Sequence, residues 1–322
     1  MALSYNLRFL VLILLTVGFI QAFAEIALWT AAPLILRYLP LLSTRYRERL
    51  LYLLQFAPLL TGMLFAGFLF VPQYLRNETN SKGEDVGWVC LLLAFGMLLA
   101  FGFALLRGLS LSTRTLRFAI ACRKTCRISS RVYGGTPIRI LSDQGHGIML
   151  VGFFHPFVLV SRSLIEEELS EAALNVVLAH ENAHAAQLDN WKLGILYFLP
   201  RLPLTLPGGG TWMELWRTTA EWAADDDAIR GDNMRALLLA EAVVRVARQA
   251  GGRHLSLVSV SLSEPDRSLA MRLDRLLHRG AGPSPAGPAL FALPASILGV
   301  AGAAVILSPR IYDIAEWILH LG

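Results

Sequence analysis

Residues 178–189 read LAHENAHAAQLD and contain the pattern His-Glu-x-x-His within a run of helical periodicity. On a helix, side chains four residues apart lie on one face, so the imidazoles of His180 and His184 can converge on one ion. Glu181 lies about 100° around the helix from His180. We therefore expect Glu181 to flank the ion and to accept a proton from a water molecule that the ion activates. The alternative, two histidines on an ordinary surface helix, requires a chance match expected in about one per cent of such chains.

A second acidic segment supplies the remaining ligand. Residues 218–227 read TTAEWAADDD and are helical in composition. A catalytic zinc site holds three protein ligands and keeps one position open, and Glu221 is the expected third ligand of one zinc ion per chain. Asp225 shares a helix face with Glu221, and we expect it to accept a hydrogen bond from the free N–H of a ligating histidine. Asp189 is a second candidate for this role. For all three acids, a solvent-exposed charge near a helix end is the alternative.

The composition is typical of a membrane protein. Of the 322 residues, 55% are hydrophobic and 16% are charged, and the mean hydropathy is +0.51. These values favour a chain that contacts the lipid bilayer over a soluble enzyme. The net charge of +5 is modest and reflects loop orientation, so we expect no direct nucleic-acid binding. Three cysteines do not form a disulfide framework.

Three apolar segments near the N-terminus are long enough to cross a bilayer. The predicted membrane helices are residues 8–36, 51–71 and 88–106, within a membrane region of residues 1–107. A signal peptide that ends at Ala24 is the alternative for the first segment, but the apolar run continues past Glu25 and favours a retained helix. Arginines and lysines concentrate after the first and third helices, which predicts that these loops are cytoplasmic.

From residue 108 to residue 287 the sequence becomes soluble in character. Short apolar runs between turn residues predict strands at 138–141, 147–151 and 157–160. Residues 288–308 predict a fourth membrane helix and residues 309–322 a short external tail. The expected fold is an α-helical integral membrane protein with about four transmembrane helices. We expect a mainly α, α+β zinc domain of residues 108–287 to be inserted on the cytoplasmic side.

Taken together, these features resemble the BlaR/MecR-type family of integral-membrane zinc metallopeptidases, a bacterial sensor-transducer group of gluzincins. The resemblance covers nearly the whole chain, and its most specific segments are GFFHPFVLV at 152–160, LAHExxH at 178–184 and EWAAD at 221–225. It implies zinc on His180, His184 and Glu221, with Glu181 as general base and acid. It also implies an edge strand that pairs with an extended substrate, at Phe157, Val158, Leu159 and Val160.

The resemblance implies a zinc metalloendopeptidase in the bacterial cytoplasmic membrane that cleaves a protein substrate in signal transduction, for example a transcriptional repressor. The family's penicillin-binding sensor domain has no counterpart after the fourth predicted helix, so antibiotic sensing is not implied. Two alternatives stay open. One is a quality-control membrane protease of the stress or prenyl-protein type, and the other is a non-catalytic zinc-binding membrane receptor. The oligomeric state is open as well.

Overall fold

The computed structural model describes residues 5–77, 87–133, 135–141, 147–207, 209–250 and 266–278. Most of these residues are helical, and the strands among them form a four-stranded sheet. The predicted fourth membrane helix, 288–308, and the predicted external tail, 309–322, lie outside the described residues.

Among the described residues, three helices are long and apolar enough to cross a membrane, in agreement with the number predicted before residue 107. They cover Tyr5–Thr30, Ala57–Arg76 and Trp88–Thr125. The first is α1 (Tyr5–Thr30) and the third is α6 (Trp88–Thr125). The second consists of α4 (Ala57–Phe65), a π-helical turn (Ala66–Phe70) and α5 (Val71–Asn77). Large apolar side chains stay exposed on the outer faces, for example Phe68 at 76% and Phe103 at 67%. Such surfaces suit lipid better than water.

The helix bounds differ from the predicted ones for a local reason in each case. Residues 8–36 are divided between α1 and α2 (Ala32–Tyr38), where Pro33 lies in the first turn. Residues 51–54 belong to α3 (Thr44–Leu54), and α4 begins only at Ala57, next to Pro58. Helix α6 continues past residue 106 because no proline interrupts residues 88–125. Its 38 residues extend about 57 Å, roughly twice the hydrocarbon thickness of a bilayer.

The four strands lie in the order β1-β2-β4-β3. They are β1 (Arg127–Tyr133), β2 (Thr136–Leu141), β3 (Ile148–Val151) and β4 (Phe157–Ser161). Strand β4 pairs with β2 in parallel and with β3 in antiparallel orientation, and all five of its residues are buried. The prediction of an edge strand at Phe157, Val158, Leu159 and Val160 is therefore wrong, because the sheet already occupies both sides of β4. On this side of the sheet the edge is β3.

Five further α-helices follow the sheet in the described part of the chain. They are α7 (Glu171–Ala186), α8 (Asp189–Leu196), α9 (Trp212–Ile229), α10 (Asn233–Ala250) and α11 (Asp266–Leu277). Helix α7 packs between the sheet on one side and α9 and α10 on the other. Val160, Val177 and Leu239 lie fully buried in the core between these elements. This core fixes the relative positions of α7 and α9.

Helices α7 and α9 both begin at a defined N-cap. The Ser170 hydroxyl accepts a hydrogen bond from the backbone N–H of Ala173 at 3.2 Å. Thr211 and Glu214 form a capping box at the start of α9. Caps of this kind satisfy backbone N–H groups that a helix leaves without partners in its first turn. The register of α7 and α9 is therefore fixed from their first residues.

The core packing predicts a clear difference between two leucines of α10. Leu239 is fully buried, whereas Leu237 is 52% exposed. We expect Leu239→Ala to lower the free energy of unfolding by roughly 2–5 kcal/mol, because it leaves a cavity beside α7. Leu237→Ala is the matched control and is expected to change it by less than about 0.5 kcal/mol. Thermal melting of the purified variants in detergent measures the change in stability of each. An equal loss of stability in the two variants would contradict this description of the core.

Candidate metal centre

His180, His184 and Glu221 meet at one point between α7 and α9. The Nε2 atoms of the two histidines are 3.1 Å apart, and each lies 3.4 Å from an oxygen of Glu221. All three side chains are buried, with ligand atoms within 4.8 Å of one another. The three residues that the sequence predicts as ligands are thus brought together, and they can hold a metal ion.

The carboxylate of Glu181 lies fully buried beside these ligands. Neither of its oxygens has a hydrogen-bond partner among the residues that the structure describes. Burial raises the pKa of Glu181, although His180 and His184 act in the opposite direction. A buried carboxylate without a hydrogen bond is costly. Its place next to three converging ligands fits a site for a cation and a water molecule.

Each histidine uses its other ring nitrogen to contact a carboxylate. His184 Nδ1 lies 2.8 Å from Asp189 Oδ2, and His180 Nδ1 lies 2.9 Å from Asp225 Oδ1. Such contacts fix the tautomer and orient the ring, so that Nε2 faces the ion. Asp189 and Asp225 therefore lie where the sequence analysis expects them.

A tight turn places Asp189 so close to His184. Leu188, between α7 and α8, has a φ of +57°, in the left-handed region that non-glycine residues rarely adopt. The strain costs roughly 1–3 kcal/mol and is typical of functional sites. The turn lets α8 begin directly at Asp189. The neighbouring Asn190 donates from Nδ2 to Leu150 O at 3.0 Å and to Gly152 O, so the same turn also holds the end of the edge strand β3.

Arg272 of α11 enters the same site, a contact that the sequence analysis did not predict. Its side chain is 2% exposed. The guanidinium binds both oxygens of Asp225, with Nε at 2.7 Å and Nη2 at 2.6 Å. Nη1 lies 2.7 Å from Glu221 Oε2, and Nη2 lies 3.3 Å from the ring of His180. A bidentate guanidinium–carboxylate pair is geometrically specific, so Arg272 fixes Asp225 in the position that orients His180.

Arg272 also sets the charge of the two acids of α9. Burial favours the neutral form of Asp225, but Arg272 and His180 lower its pKa to about 2. Burial also favours the neutral form of Glu221, yet Arg272 and His184 hold the pKa of this carboxyl group well below its usual range. Both carboxylates are therefore ionised at neutral pH, as a metal ligand and its supporting acid must be.

The residues of β4 lie away from this centre. Val158 and Val160 point into the core under α7. Phe157 and Leu159 belong to a separate cluster with Ala119, Cys122 and Cys126. The alternation follows the two faces of a strand. The structure therefore gives these four residues a packing role and does not place them beside the histidines.

The segment that follows α8, residues 197–207, is hydrogen-bonded to the candidate membrane helices. Gln21 of α1 donates to Pro200 O at 2.8 Å, and Glu25 accepts from the backbone N–H of Leu202 at 2.6 Å. Arg107 and Trp29 donate to further carbonyl oxygens of this segment, those of Tyr197, Leu199 and Thr205. Residues 197–207 run between α8, which begins at Asp189, and α9. The segment between α8 and α9 is therefore hydrogen-bonded to two of the candidate membrane helices, α1 and α6.

Metal content tests the ligand set directly. We expect about one divalent ion per chain in the wild type and loss of the ion in His184→Ala and Glu221→Ala, because each variant removes one of three ligands. His278→Ala is the matched control and is expected to keep its metal ion, because this histidine is exposed just after α11 and lies outside the metal centre. Elemental analysis of purified protein measures the content. Full metal content in both ligand variants would refute the site.

No family model matches the chain, and no curated protein matches it either. The resemblance to the BlaR/MecR-type family stays a prediction from the sequence motifs. A function is therefore inferred from the centre itself: two histidines and a glutamate that can hold a metal ion, with a buried carboxylate beside them.

Proposed function

We propose that this protein is a membrane-bound zinc endopeptidase that hydrolyses peptide bonds of a protein substrate in regulated proteolysis. The observation that carries the proposal is the carboxylate of Glu181, buried beside three converging ligands and without a hydrogen bond from any described residue. A structural zinc site is closed by four protein ligands and needs no base, whereas a catalytic site has three and an open position. The arrangement favours an enzyme over a zinc-binding receptor.

The donor set favours zinc. Two imidazole nitrogens and one carboxylate oxygen suit this ion better than Ca²⁺ or Mg²⁺, which prefer oxygen ligands. Tetrahedral ligands of zinc lie about 3.3 Å from one another, close to the 3.1 and 3.4 Å separations of the three side chains. His180, His184 and Glu221 would hold the ion. When bound, zinc lowers the pKa of water and polarises a carbonyl group.

Glu181 is the residue that we assign to proton transfer. Burial raises its pKa, which brings a carboxylate nearer to the pKa of a base that can both accept and return a proton at neutral pH. In the proposed reaction it takes a proton from the attacking water and delivers it to the leaving amine. Asp189 and Asp225 hold the histidines, so the ligands need not reorganise during the reaction.

The contacts of residues 197–207 support action at the membrane surface. This segment follows α8 directly and is hydrogen-bonded to Gln21 and Glu25 of α1 and to Arg107 of α6. A site held this close to membrane helices suits a substrate that reaches it beside the bilayer. We propose, from the positive-inside rule, that this is the cytoplasmic side.

The replacement Glu181→Gln separates metal binding from catalysis. We expect it to keep about one zinc per chain, because Glu181 is not a ligand, and to lower the cleavage rate roughly 10²–10⁴-fold, because the amide cannot accept the proton. Glu171→Gln, at the exposed start of the same helix, is the matched control and is expected to cleave at the wild-type rate. Cleavage of an unfolded protein substrate such as casein, in detergent, is the assay.

Two outcomes would refute the proposal. Wild-type cleavage by Glu181→Gln would exclude Glu181 as the base. Zinc bound at full content by a wild-type protein that cleaves neither casein nor candidate membrane-associated substrates would favour the non-catalytic receptor instead.

A further inference from the structure

A chain of buried polar contacts leads from α3 to the metal ligand His184. It begins at Glu48, which is fully buried. Lys192 Nζ lies 2.9 Å from Glu48 Oε1 and 2.9 Å from Asp189 Oδ1. The other oxygen of Asp189, Oδ2, lies 2.8 Å from His184 Nδ1. The four residues come from α3, α8 and α7, and the proposed reaction assigns no role to Glu48 or Lys192.

Lys192 is suited to join the two acids. An ammonium group has three donors and no acceptor, so it can bind both carboxylates at once. Its side chain is only 18% exposed, which limits screening of the two ion pairs by water. With one oxygen of Asp189 held by Lys192, the other stays directed at His184. Lys192 therefore acts on the ligand through Asp189.

Glu48 in turn fixes Lys192. The same Oε1 that accepts from Lys192 also accepts from Trp216 Nε1 at 3.0 Å. A buried carboxylate is costly unless it is paired, and removal of one partner is costly for the other. Glu48 and Lys192 therefore require α3 and α8 to keep one relative position. In the sequence, α3 lies between the first candidate membrane helix, α1, and the second, which begins with α4.

We propose that Glu48 and Lys192 are positioning residues for the metal centre. They act through Asp189 to orient the ring of His184. The metal affinity then depends on the position of α3, which lies in the sequence between two candidate membrane helices. This inference rests on the proposed metal centre but not on peptidase activity. A displacement of α3 separates Glu48 from Lys192, loosens Asp189 and weakens the hold on the ion.

The test uses Co²⁺ as the probe, bound to the full chain in detergent. Its affinity is measured by competition with a chelator, and its visible absorption reports the geometry of the ligands. We expect Lys192→Met to lower the affinity about tenfold, as loss of a partner of a metal ligand does, and to change the absorption bands. Glu48→Gln is expected to have a smaller effect of the same kind. The double variant should equal Lys192→Met, because the proposed effect of Glu48 on His184 passes through Lys192.

Thr44→Val is the matched control on the same helix. Thr44 Oγ1 lies 2.6 Å from Asp226 Oδ2, so the variant removes a contact between α3 and α9 without altering the chain from Glu48 to His184. We expect wild-type affinity and an unchanged spectrum. If Lys192→Met does not fold, Glu48→Gln is compared with Thr44→Val in its place, since it keeps the shape of the side chain.

The outcomes separate this inference from the proposed function. A wild-type protein that binds no Co²⁺ would overturn the metal centre itself. A wild-type protein that binds Co²⁺, together with unchanged affinity and spectrum in the Lys192 and Glu48 variants, would overturn only the positioning role. Additive effects in the double variant, or an equal loss in Thr44→Val, would also overturn it, because they indicate a general loss of stability.

Discussion

The burial of charge around two histidines is the constraint on which the rest of the fold depends. The carboxylates of Glu181, Glu221, Asp189 and Asp225 are all at most 1% exposed. A protein interior tolerates such a group only when a cation or a set of hydrogen bonds accompanies it. Arg272 accompanies Glu221 and Asp225, and Lys192 accompanies Asp189. Among the described residues, neither Glu181 nor Glu221 receives a hydrogen bond, but Glu221 has the ion pair with Arg272. Glu181 has no such pair within the described part of the chain, which is why we assign it to a water molecule and to the reaction.

The side chains of Arg272 and Lys192 explain why elements distant in the sequence pack against α7 and α9. Arg272 enters from α11, and one turn further Arg275 binds Asp226 at 2.6 and 2.7 Å. Thr44 of α3 binds the same aspartate. Helices α3, α9 and α11 are thus joined next to the centre by contacts between neighbouring acids of α9 and residues far away in the sequence. The position of each histidine depends on an element outside its own helix.

The sequence predicts those parts of the centre that follow from local spacing. His180 and His184 lie four residues apart, as do Glu221 and Asp225, and helical periodicity alone places each pair on one face. Arg272 lies 92 residues from His180, which it contacts. Glu48 lies 136 residues from His184, to which it is linked through Lys192 and Asp189. No periodicity distinguishes them from solvated charges on an amphipathic helix. Burial, which tertiary packing decides, is the only difference.

The placement of the strands and of α6 shows a similar limit. The run FVLV at 157–160 of β4 is continuously apolar, which is typical of a strand buried on both faces. This pattern favours the centre of the sheet, and the family resemblance led to the opposite expectation. For α6, hydropathy marks only the apolar part of the helix, whereas the helix continues for as long as backbone hydrogen bonds do.

The two attachments to the candidate membrane helices act on different parts of the centre. Helix α3 reaches His184 through Glu48, Lys192 and Asp189, whereas residues 197–207 run from α8 towards the helix that carries Glu221. Both α1 and α6 hold the latter segment. Because the core fixes α7 and α9 relative to each other, we expect a rearrangement among these helices to act first on the orientation of His184 and on the segment that leads to α9. Because a metal site requires ligand positions to within a few tenths of an ångström, we expect even a small rearrangement to alter the affinity of the candidate centre for a metal ion.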